Sequence, residues 1–172
     1  SLSKFLDLNL DLMLSRNIKF NFEIIGKKLR QKNILITGVG GSIGSELARQ
    51  IISFNPSKIL LLEHDEFKLF EINNELKNIA NKDIEIIPIL ASAKDLTRLE
   101  IIFNTFNPQI LFHTAAYKHV DMLEQNFYEA LTNNIISTHN LINLSIRNNC
   151  EEFVLISTDK AVKPTNIMGA SK

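Results

Sequence analysis

Short apolar runs alternate with stretches of helical periodicity from residue 34 onwards. The runs are rich in Ile and Leu, which is typical of strands that are buried on both faces of a parallel sheet. Five such strands are predicted, at residues 34–36, 59–62, 84–89, 110–112 and 153–156.

The segments between these runs have apolar residues at helical spacing, as in the stripe of Leu69, Ile72, Leu76 and Ile79. They predict helices at residues 46–54, 67–80, 96–106 and about 127–148. Strands that alternate with helices form βαβ units around a parallel sheet. Because such crossovers are right-handed, we expect an α/β fold of the doubly wound, Rossmann-like type with strand order 3-2-1-4-5.

The two ends of the chain differ from this pattern. In residues 1–31 the apolar positions fit neither a helix nor a strand, and basic residues are interspersed among them. We interpret residues 1–31 as a linker that packs on the domain, and residues 32–172 as a dinucleotide-binding domain. Residues 168–172 are typical of the start of a helix, so we expect the domain to be incomplete at its C-terminus.

Composition narrows the function classes. A chain of 172 residues with 45% hydrophobic content suits one domain with a sizeable core. Lys and Arg together number 19, as do Asp and Glu, and this balance argues against a nucleic-acid-binding module. Cys150 is the only cysteine, which excludes an internal disulfide. The sequence has neither an apolar run of membrane-spanning length nor a secretory signal pattern, and we expect no metal site.

A glycine-rich turn with the pattern T-G-x-x-G-x-x-G lies between the first predicted strand and the first predicted helix. We expect Gly38 to make the turn, Gly41 to allow close approach of a pyrophosphate, and Gly44 to allow tight packing of helix on strand. The N–H groups at the helix start, including those of Ser42 and Ile43, are expected to bind the diphosphate of a dinucleotide. The alternative is a glycine-rich turn without a ligand.

The ends of the second and fourth strands carry further candidates for a cofactor site. Glu63 can accept hydrogen bonds from both ribose hydroxyls of NAD, and it repels the 2′-phosphate of NADP, although His64 can soften that repulsion. NAD is therefore the favoured cofactor, and a solvated strand end is the alternative for Glu63. Ala115 and Ala116 leave room for ribose and diphosphate. We expect His113 to be a packed, hydrogen-bonded imidazole rather than a catalyst.

Three segments together resemble one family: the glycine-rich turn, A-A-Y-K-H-V at residues 115–120, and S-T-D-K-A-V-K-P-T-N at residues 157–166. The chain resembles the extended short-chain dehydrogenase/reductase superfamily and, within it, the nucleotide-sugar 4,6-dehydratases that act on UDP-N-acetylglucosamine. It is most similar to their large, membrane-anchored polysaccharide-biosynthesis type. The resemblance runs from about residue 11 to residue 172.

Two positions depart from the superfamily pattern. The usual Tyr-x-x-x-Lys pair is here Met168-x-x-x-Lys172, and the membrane-anchored group is similar in carrying Met. Ser92 stands where relatives usually have an Asp that reads the adenine amino group.

The resemblance implies an NAD-dependent dehydration of a UDP-N-acetylhexosamine to a 4-keto-6-deoxy sugar. It implies that Thr158 hydrogen-bonds the oxygen on carbon 4, Asp159 is the general acid toward carbon 6, and Lys160 is the base at carbon 5. Asp159 must hold a proton, so we expect burial to raise its pKa. Lys172 is expected to bind the nicotinamide ribose. Because Met168 cannot take a proton, a water held by Thr158, or Asp159 itself, is the candidate for deprotonating the hydroxyl on carbon 4.

The resemblance also implies a UDP-sugar substrate, a homo-oligomer in the intact protein, and a place at the cytoplasmic face of the inner membrane through a segment outside this chain. Lys118 and His119 are candidates for contacting the substrate diphosphate, with a solvated helix start as the alternative. Since the family's substrate-binding half lies beyond residue 172, we expect this chain alone to be inactive. A nucleotide-sugar 4-epimerase and a non-catalytic NAD-binding module are the competing interpretations.

Overall fold

The computed structural model describes residues 21–172, in which strands and helices alternate as predicted. The strands are β1 (Asn33–Thr37), β2 (Lys58–Glu63), β3 (Glu85–Leu90), β4 (Ile110–His113) and β5 (Glu152–Leu155). The α-helices are α1 (Phe22–Leu29), α2 (Ser42–Ile52), α3 (Glu66–Ile79), α4 (Leu96–Phe106), α5 (Val120–Gln125), α6 (Phe127–Ala130), α7 (Ser137–Arg147) and α8 (Ile167–Ala170). The part of the predicted linker at residues 1–20 lies outside the described residues.

The five strands form one parallel sheet in the order β3-β2-β1-β4-β5, which confirms the predicted doubly wound topology. The register at the centre is set by Ile34 of β1, which pairs with Ile59 of β2 on one side and with Ile110 of β4 on the other. Because all strands run in the same direction, their carboxyl ends lie along one edge of the sheet.

Side chains that alternate along the central strands divide the core into two layers. Ile34 and Ile36 point into the layer covered by α1, α2 and α3, together with Ile59 and Leu61 of β2. Leu35 points into the opposite layer, which α4 and α7 cover with Leu99, Ile102, Phe103, Leu141 and Leu144.

Burial on both faces holds for the central strands but not for the two outer ones. β1 and β2 are buried almost throughout, whereas β3 and β5 are largely half-buried or exposed. In this strand order β3 and β5 lie at the edges of the sheet, so the prediction of full burial is wrong for them. Pro88 is accommodated in β3 because an edge strand need not donate every backbone hydrogen bond.

The long helix predicted at residues 127–148 is interrupted. α6 ends at Ala130, a π-helical segment follows at Leu131–Ile136, and α7 begins at Ser137. Apolar spacing cannot reveal such an insertion, because it is defined by backbone hydrogen bonds rather than by the side-chain pattern. Segments of this kind are frequent at functional sites.

Short polar interactions define several helix ends. Asp65 caps α3 by accepting a hydrogen bond from the N–H of Lys68 (3.1 Å), and Asp95 caps α4 in the same way through Arg98 (3.0 Å). α1 packs on the first core layer through Leu29. Among residues 21–172 there is no helix whose length and hydropathy suit a bilayer span.

Gly44→Ala is expected to destabilise the domain. A Cβ at this position lies 2.7 Å from Thr114 Oγ1 and closer still to the Gly38 carbonyl oxygen, so α2 would have to move away from β1. Overpacking of this kind lowers the free energy of unfolding by about 1–3 kcal/mol, which urea denaturation would measure.

Gly26→Ala is the matched control. In α1 the added Cβ meets the Phe54 ring at an ordinary 3.4 Å and gains helix propensity, so stability should be kept or increased. A Gly44→Ala protein as stable as the wild type would contradict the close packing of α2 on β1.

Candidate functional site

The carboxyl edge of the sheet brings the predicted site residues into one row. Along the strand order, Ser92 follows β3, Glu63 ends β2, the glycine-rich turn follows β1, Ala115 follows β4 and Thr158 follows β5. At about 4.8 Å between neighbouring strands, this row is about 19 Å long. Connections leave β1 and β4 in opposite directions, which opens a crevice of the kind where ligands of such sheets bind.

Gly38 and Gly44 bring the glycine-rich turn against the loop that follows β4. Gly38 has a φ of +72°, and a Cβ there lies 2.7 Å from the backbone N and Cα of Ala115. Thr114 completes this contact: its hydroxyl donates to the Thr37 carbonyl at 2.7 Å and fills the space beside Gly44. Side chains at these two glycines would force the turn and the start of α2 away from the loop after β4.

The amino end of α2 has no side-chain cap. Gly41 precedes the helix with an extended backbone, and a Cβ there meets the Gly38 carbonyl oxygen at 3.3 Å. Ser42 and Ile43 are exposed, and the first turn of α2 contains no acidic residue. The N–H groups of this turn and the helix dipole can therefore hold an anion such as a diphosphate.

Gly40, which the sequence analysis did not single out, presses the turn against the end of β2. A Cβ there lies 2.6 Å from Lys68 Cβ and 2.9 Å from Glu63 Oε2, and the Gly40 N–H donates to that oxygen at 2.8 Å. In the sequence, Gly40 is distinguished as an additional glycine within the turn, at a position outside the T-G-x-x-G-x-x-G spacing.

Glu63 is buried, and four donors surround its carboxylate. Oε2 accepts from Gly40, while Oε1 accepts from the backbone N–H groups of His64 (2.9 Å) and Asp65 (3.2 Å) and lies 2.8 Å from His64 Nδ1. A carboxylate offers about four acceptor positions. Oε2 has a single donor and keeps an acceptor position, so the binding of the ribose hydroxyls of NAD by Glu63 stays a prediction. Its 5% exposure excludes the solvated strand end.

His113 is a buried, neutral imidazole that connects β1, β4 and α7. Its Nδ1 lies 2.7 Å from Thr37 Oγ1, and its Nε2 lies 3.0 Å from Thr138 Oγ1. The Thr138 hydroxyl donates to the Asn134 carbonyl at 2.6 Å, so it accepts from Nε2–H, and Nδ1 accepts from Thr37. Burial and the charge of Lys172 lower the pKa of His113 to about 4. The prediction of a packed, hydrogen-bonded imidazole is confirmed.

Asn134 was missed by the sequence analysis. It is buried in the π-helical segment and joins the loop after β4 to the end of α8. Oδ1 accepts from the Tyr117 N–H (2.8 Å), while Nδ2 donates to the Tyr117 carbonyl (3.0 Å) and to Ser171 Oγ (2.8 Å). In the sequence Asn134 is one of several polar residues in a predicted helix, and nothing there points to Tyr117 and Ser171 as its partners because they are distant in sequence.

Thr158, Asp159 and Lys160 form an exposed turn at the carboxyl end of β5. The Thr158 hydroxyl and the Lys160 N–H both donate to Asp159 Oδ1 at 2.9 Å. The Thr158 hydrogen bond, followed by the charge and the N–H of Lys160, holds the pKa of Asp159 below its ordinary value. The expectation that burial raises this pKa is wrong, because the turn is open to water.

α8 packs closely on this turn. Gly169 makes the contact possible, since a Cβ there would overlap the Lys160 carbonyl oxygen. Glu124 Oε1 accepts from the Ile167 N–H at 2.7 Å and holds the helix start. Met168 is 5% exposed and packs with Leu123 and Ala130, so an apolar group occupies the position where the superfamily has tyrosine.

The remaining candidates lie along the same edge. Lys172 is half-buried, and this burial lowers its pKa. Ser92 and Ala116 are half-buried in the loops after β3 and β4. Lys118 and His119 are exposed and line a cavity of about 380 Å³ beside α5, apart from the glycine-rich turn.

Comparison with known proteins agrees with this geometry. Residues 34–172 match a family described as polysaccharide biosynthesis protein. The chain belongs to this family. It is 42% identical over 162 residues to the capsular polysaccharide biosynthesis protein CapD of Staphylococcus aureus, covering 94% of the chain and 27% of that relative. The chain therefore spans about a quarter of the length of this curated relative.

Two further proteins extend the comparison. An inverting UDP-N-acetylglucosamine 4,6-dehydratase of Campylobacter jejuni is 32% identical over 142 residues, covering 82% of the chain and 40% of the relative. A UDP-glucose 4-epimerase of Bifidobacterium longum, solved in complex with NAD⁺ and UDP, superposes with a TM-score of 0.68 at 19% identity, covering 81% of the chain and 45% of that structure. At that identity the epimerase shows the fold alone. The resemblance drawn from the sequence motifs is confirmed by the family and dehydratase matches.

His113 is expected to make stability fall as the pH falls. An imidazole in the unfolded chain has a pKa of about 6.5. The folded pKa is about 4. Between these values the unfolded chain binds a proton that the folded chain does not. The free energy of unfolding should therefore be unaffected by this group above pH 6.5 and decrease by about 3 kcal/mol toward pH 4.

Urea denaturation of the wild type and His113→Gln at several pH values isolates this effect, because the carboxylates titrate in both proteins. The stability difference between the two should shrink toward pH 4. His139→Gln, at an exposed position of α7, should keep the pH dependence of the wild type. A difference between wild type and His113→Gln that is constant with pH would contradict the lowered pKa.

Proposed function

We propose that this chain is the cofactor-binding part of an NAD-dependent enzyme that dehydrates a UDP-N-acetylhexosamine, with UDP-N-acetylglucosamine as the expected substrate, to a 4-keto-6-deoxy sugar. The product would serve bacterial surface polysaccharide or glycoprotein glycan biosynthesis. The observation that carries the proposal is the Thr158–Asp159–Lys160 turn, which supplies acid–base groups at the carboxyl edge beside a buried Met168. These groups suit elimination, which needs an acid and a base at neighbouring carbons.

The residues present fit a dinucleotide. The uncapped start of α2 offers N–H groups of Ser42, Ile43 and Gly44 to a diphosphate, and Gly41 places no side chain immediately before this helix start. Ala115 and Ala116 would border the diphosphate and ribose, Ser92 the adenine, and Lys172 the nicotinamide ribose. When bound there, NAD would supply a hydride acceptor and donor for the sugar, which acidifies the proton on carbon 5.

Asp159 and Lys160 would move the protons. In the exposed turn Asp159 is ionised at neutral pH, because its pKa is below the ordinary carboxyl value. We propose that a sugar lying on the turn excludes water from Asp159 and raises its pKa, so that it can protonate the hydroxyl leaving carbon 6. Lys160 would remove the proton from carbon 5, and Thr158 would hydrogen-bond the oxygen on carbon 4.

The hydroxyl on carbon 4 needs a different proton acceptor from the usual phenol. Met168 is buried among Leu123 and Ala130 and has no group that takes a proton. We propose that a water held by Thr158, or Asp159 before the sugar is oxidised, takes this role. Lys118 and His119 would contact the substrate diphosphate from the cavity beside α5.

The length comparison supports a division of labour in a longer protein. We propose that residues 32–172 are its NAD-binding domain, that residues 1–31 link this domain to a membrane segment at the cytoplasmic face, and that the sugar-binding half follows. The intact protein is proposed to be a homo-oligomer, and this chain alone is not expected to turn over a sugar.

A nucleotide-sugar 4-epimerase is the second candidate, because the B. longum epimerase shares the fold. Solvent deuterium separates the two reactions. With the full-length protein, NAD and UDP-N-acetylglucosamine in D₂O, we expect deuterium on carbon 5 of the product, detected by NMR and mass spectrometry. Product without deuterium on carbon 5 would reject the dehydratase, and NAD binding without turnover would favour a non-catalytic module.

Asp159→Asn is expected to lower kcat of the full-length enzyme by about 10²–10⁴-fold, since it removes the proposed proton donor. NAD affinity, measured by calorimetry, should stay unchanged because Asp159 lies beyond the diphosphate site. Asp83→Asn, at an exposed position beside the opposite edge of the sheet, is the matched control and should keep full activity. Wild-type turnover by Asp159→Asn would exclude its role as the acid.

A further inference from the structure

We propose that α1 and the three residues after it, residues 22–32, form a strap that holds the edge strand β5 and, with it, the turn of Thr158, Asp159 and Lys160. The strap is the described part of the predicted linker, apart from its cap residue Asn21. The inference rests on the proposed function only for the role of that turn as the acid–base site.

β5 is a strand that needs such support. It has four residues, all of them half-buried, and within residues 21–172 its one neighbouring strand is β4. Segments with few buried contacts open locally at a lower free energy than the strands of the core. Because the acid–base turn follows β5 closely, an opening of β5 would release the turn.

Two lysines of the strap hold the amino end of β5. Lys28 Nζ contacts the carboxylate of Glu152, the first residue of the strand, and Lys32 Nζ lies 2.6 Å from Glu151 Oε1. The partners are 124 and 119 positions apart in the chain. These contacts therefore connect two distant segments rather than stabilising a single helix.

Glu151 is also part of a hydrogen-bonded network at the amino edge of the sheet. Its Oε1 accepts from Gln109 Nε2 at 3.0 Å, and Gln109 Oε1 accepts from the Asn33 N–H of β1 at 3.1 Å. The hydrogen bond from Lys32 and, less strongly, that from Gln109 hold the pKa of Glu151 below its ordinary value, so this carboxylate is ionised at neutral pH. Charges joined in a network stabilise more than isolated surface pairs do.

α1 is itself fixed to the domain, as a strap must be. Leu29 is 6% exposed, and Ile25 packs with it on the first core layer. Asn21 caps the helix by accepting a hydrogen bond from the Ile24 N–H at 3.1 Å. Since apolar packing holds one side of α1 while Lys28 reaches β5, a displacement of α1 loosens β5. The segment before α1 can therefore act on the acid–base turn through the strap.

Amide hydrogen exchange of this chain, measured by NMR without denaturant, tests the strap. The reporter is the Ile156 N–H, which follows β5 and donates to the His113 carbonyl at 3.0 Å. The matched control is the Ala91 N–H, which follows the other edge strand, β3, and donates to the Glu63 carbonyl at 3.0 Å. Lys28→Glu replaces an attraction with a repulsion and favours only those openings that break the strap. We expect it to raise the exchange rate of Ile156 about tenfold and to leave that of Ala91 within about twofold of the wild type.

Three further variants complete the test. Lys28→Glu combined with Glu152→Lys restores the attraction and should return the Ile156 rate toward that of the wild type. Lys27→Glu is the control within α1, because Lys27 forms its ion pair with Glu23 of the same helix at 2.6 Å. It should leave the Ile156 rate unchanged. Lys32→Gln, a milder change at the second ion pair, should raise the Ile156 rate as Lys28→Glu does.

An Ile156 exchange rate that is the same in the wild type and in Lys28→Glu would overturn the strap. Equal acceleration of Ile156 and Ala91 would overturn it as well, because it would reveal a loss of global stability alone. Neither cofactor nor sugar takes part in the measurement, so its outcome is independent of whether the proposed function holds.

Discussion

The structure depends on the close approach of the glycine-rich turn to the loops that follow β2 and β4. Gly38 lies against Ala115, Gly40 against Glu63, and Gly44 against Thr114, and at each point a side chain would occupy space that other atoms already fill. These contacts fix how α2 leaves β1 and where its N–H groups point. Because β1 is the central strand, the same contacts define the crevice between β1 and β4, where the connections leave in opposite directions.

Buried polar side chains connect the elements on the β4 side of this crevice. His113 bridges Thr37 and Thr138, while Asn134 joins the loop after β4 to Ser171 near the end of α8. Each of these side chains satisfies its hydrogen bonds within the fold, which is the condition for burying polar groups at low cost. Through them, the proposed proton-transfer turn after β5 is positioned relative to the glycine-rich turn by a continuous set of contacts.

The two ends of the site differ in solvation. Glu63 is buried and surrounded by donors, whereas Asp159 is exposed and ionised. The chain therefore presents a preorganised surface where a cofactor would bind and an open surface where a sugar would bind. This difference is consistent with a sugar that completes the catalytic environment, since removing water from a carboxylate raises its pKa.

The sequence alone determined the strand order, the place of the glycine-rich turn and the family, because these depend on local hydrophobic periodicity, glycine spacing and motifs. It did not determine the edge exposure of β3 and β5, the π-helical segment or the solvation of Asp159. Those features depend on which distant residues meet. Glu63 Oε2 gains its donor only because Gly40 folds against it, and Asn134 joins separate elements only when Tyr117 and Ser171 reach it. Hydrogen bonds between residues far apart in sequence leave no periodic pattern, so only the tertiary structure decided them.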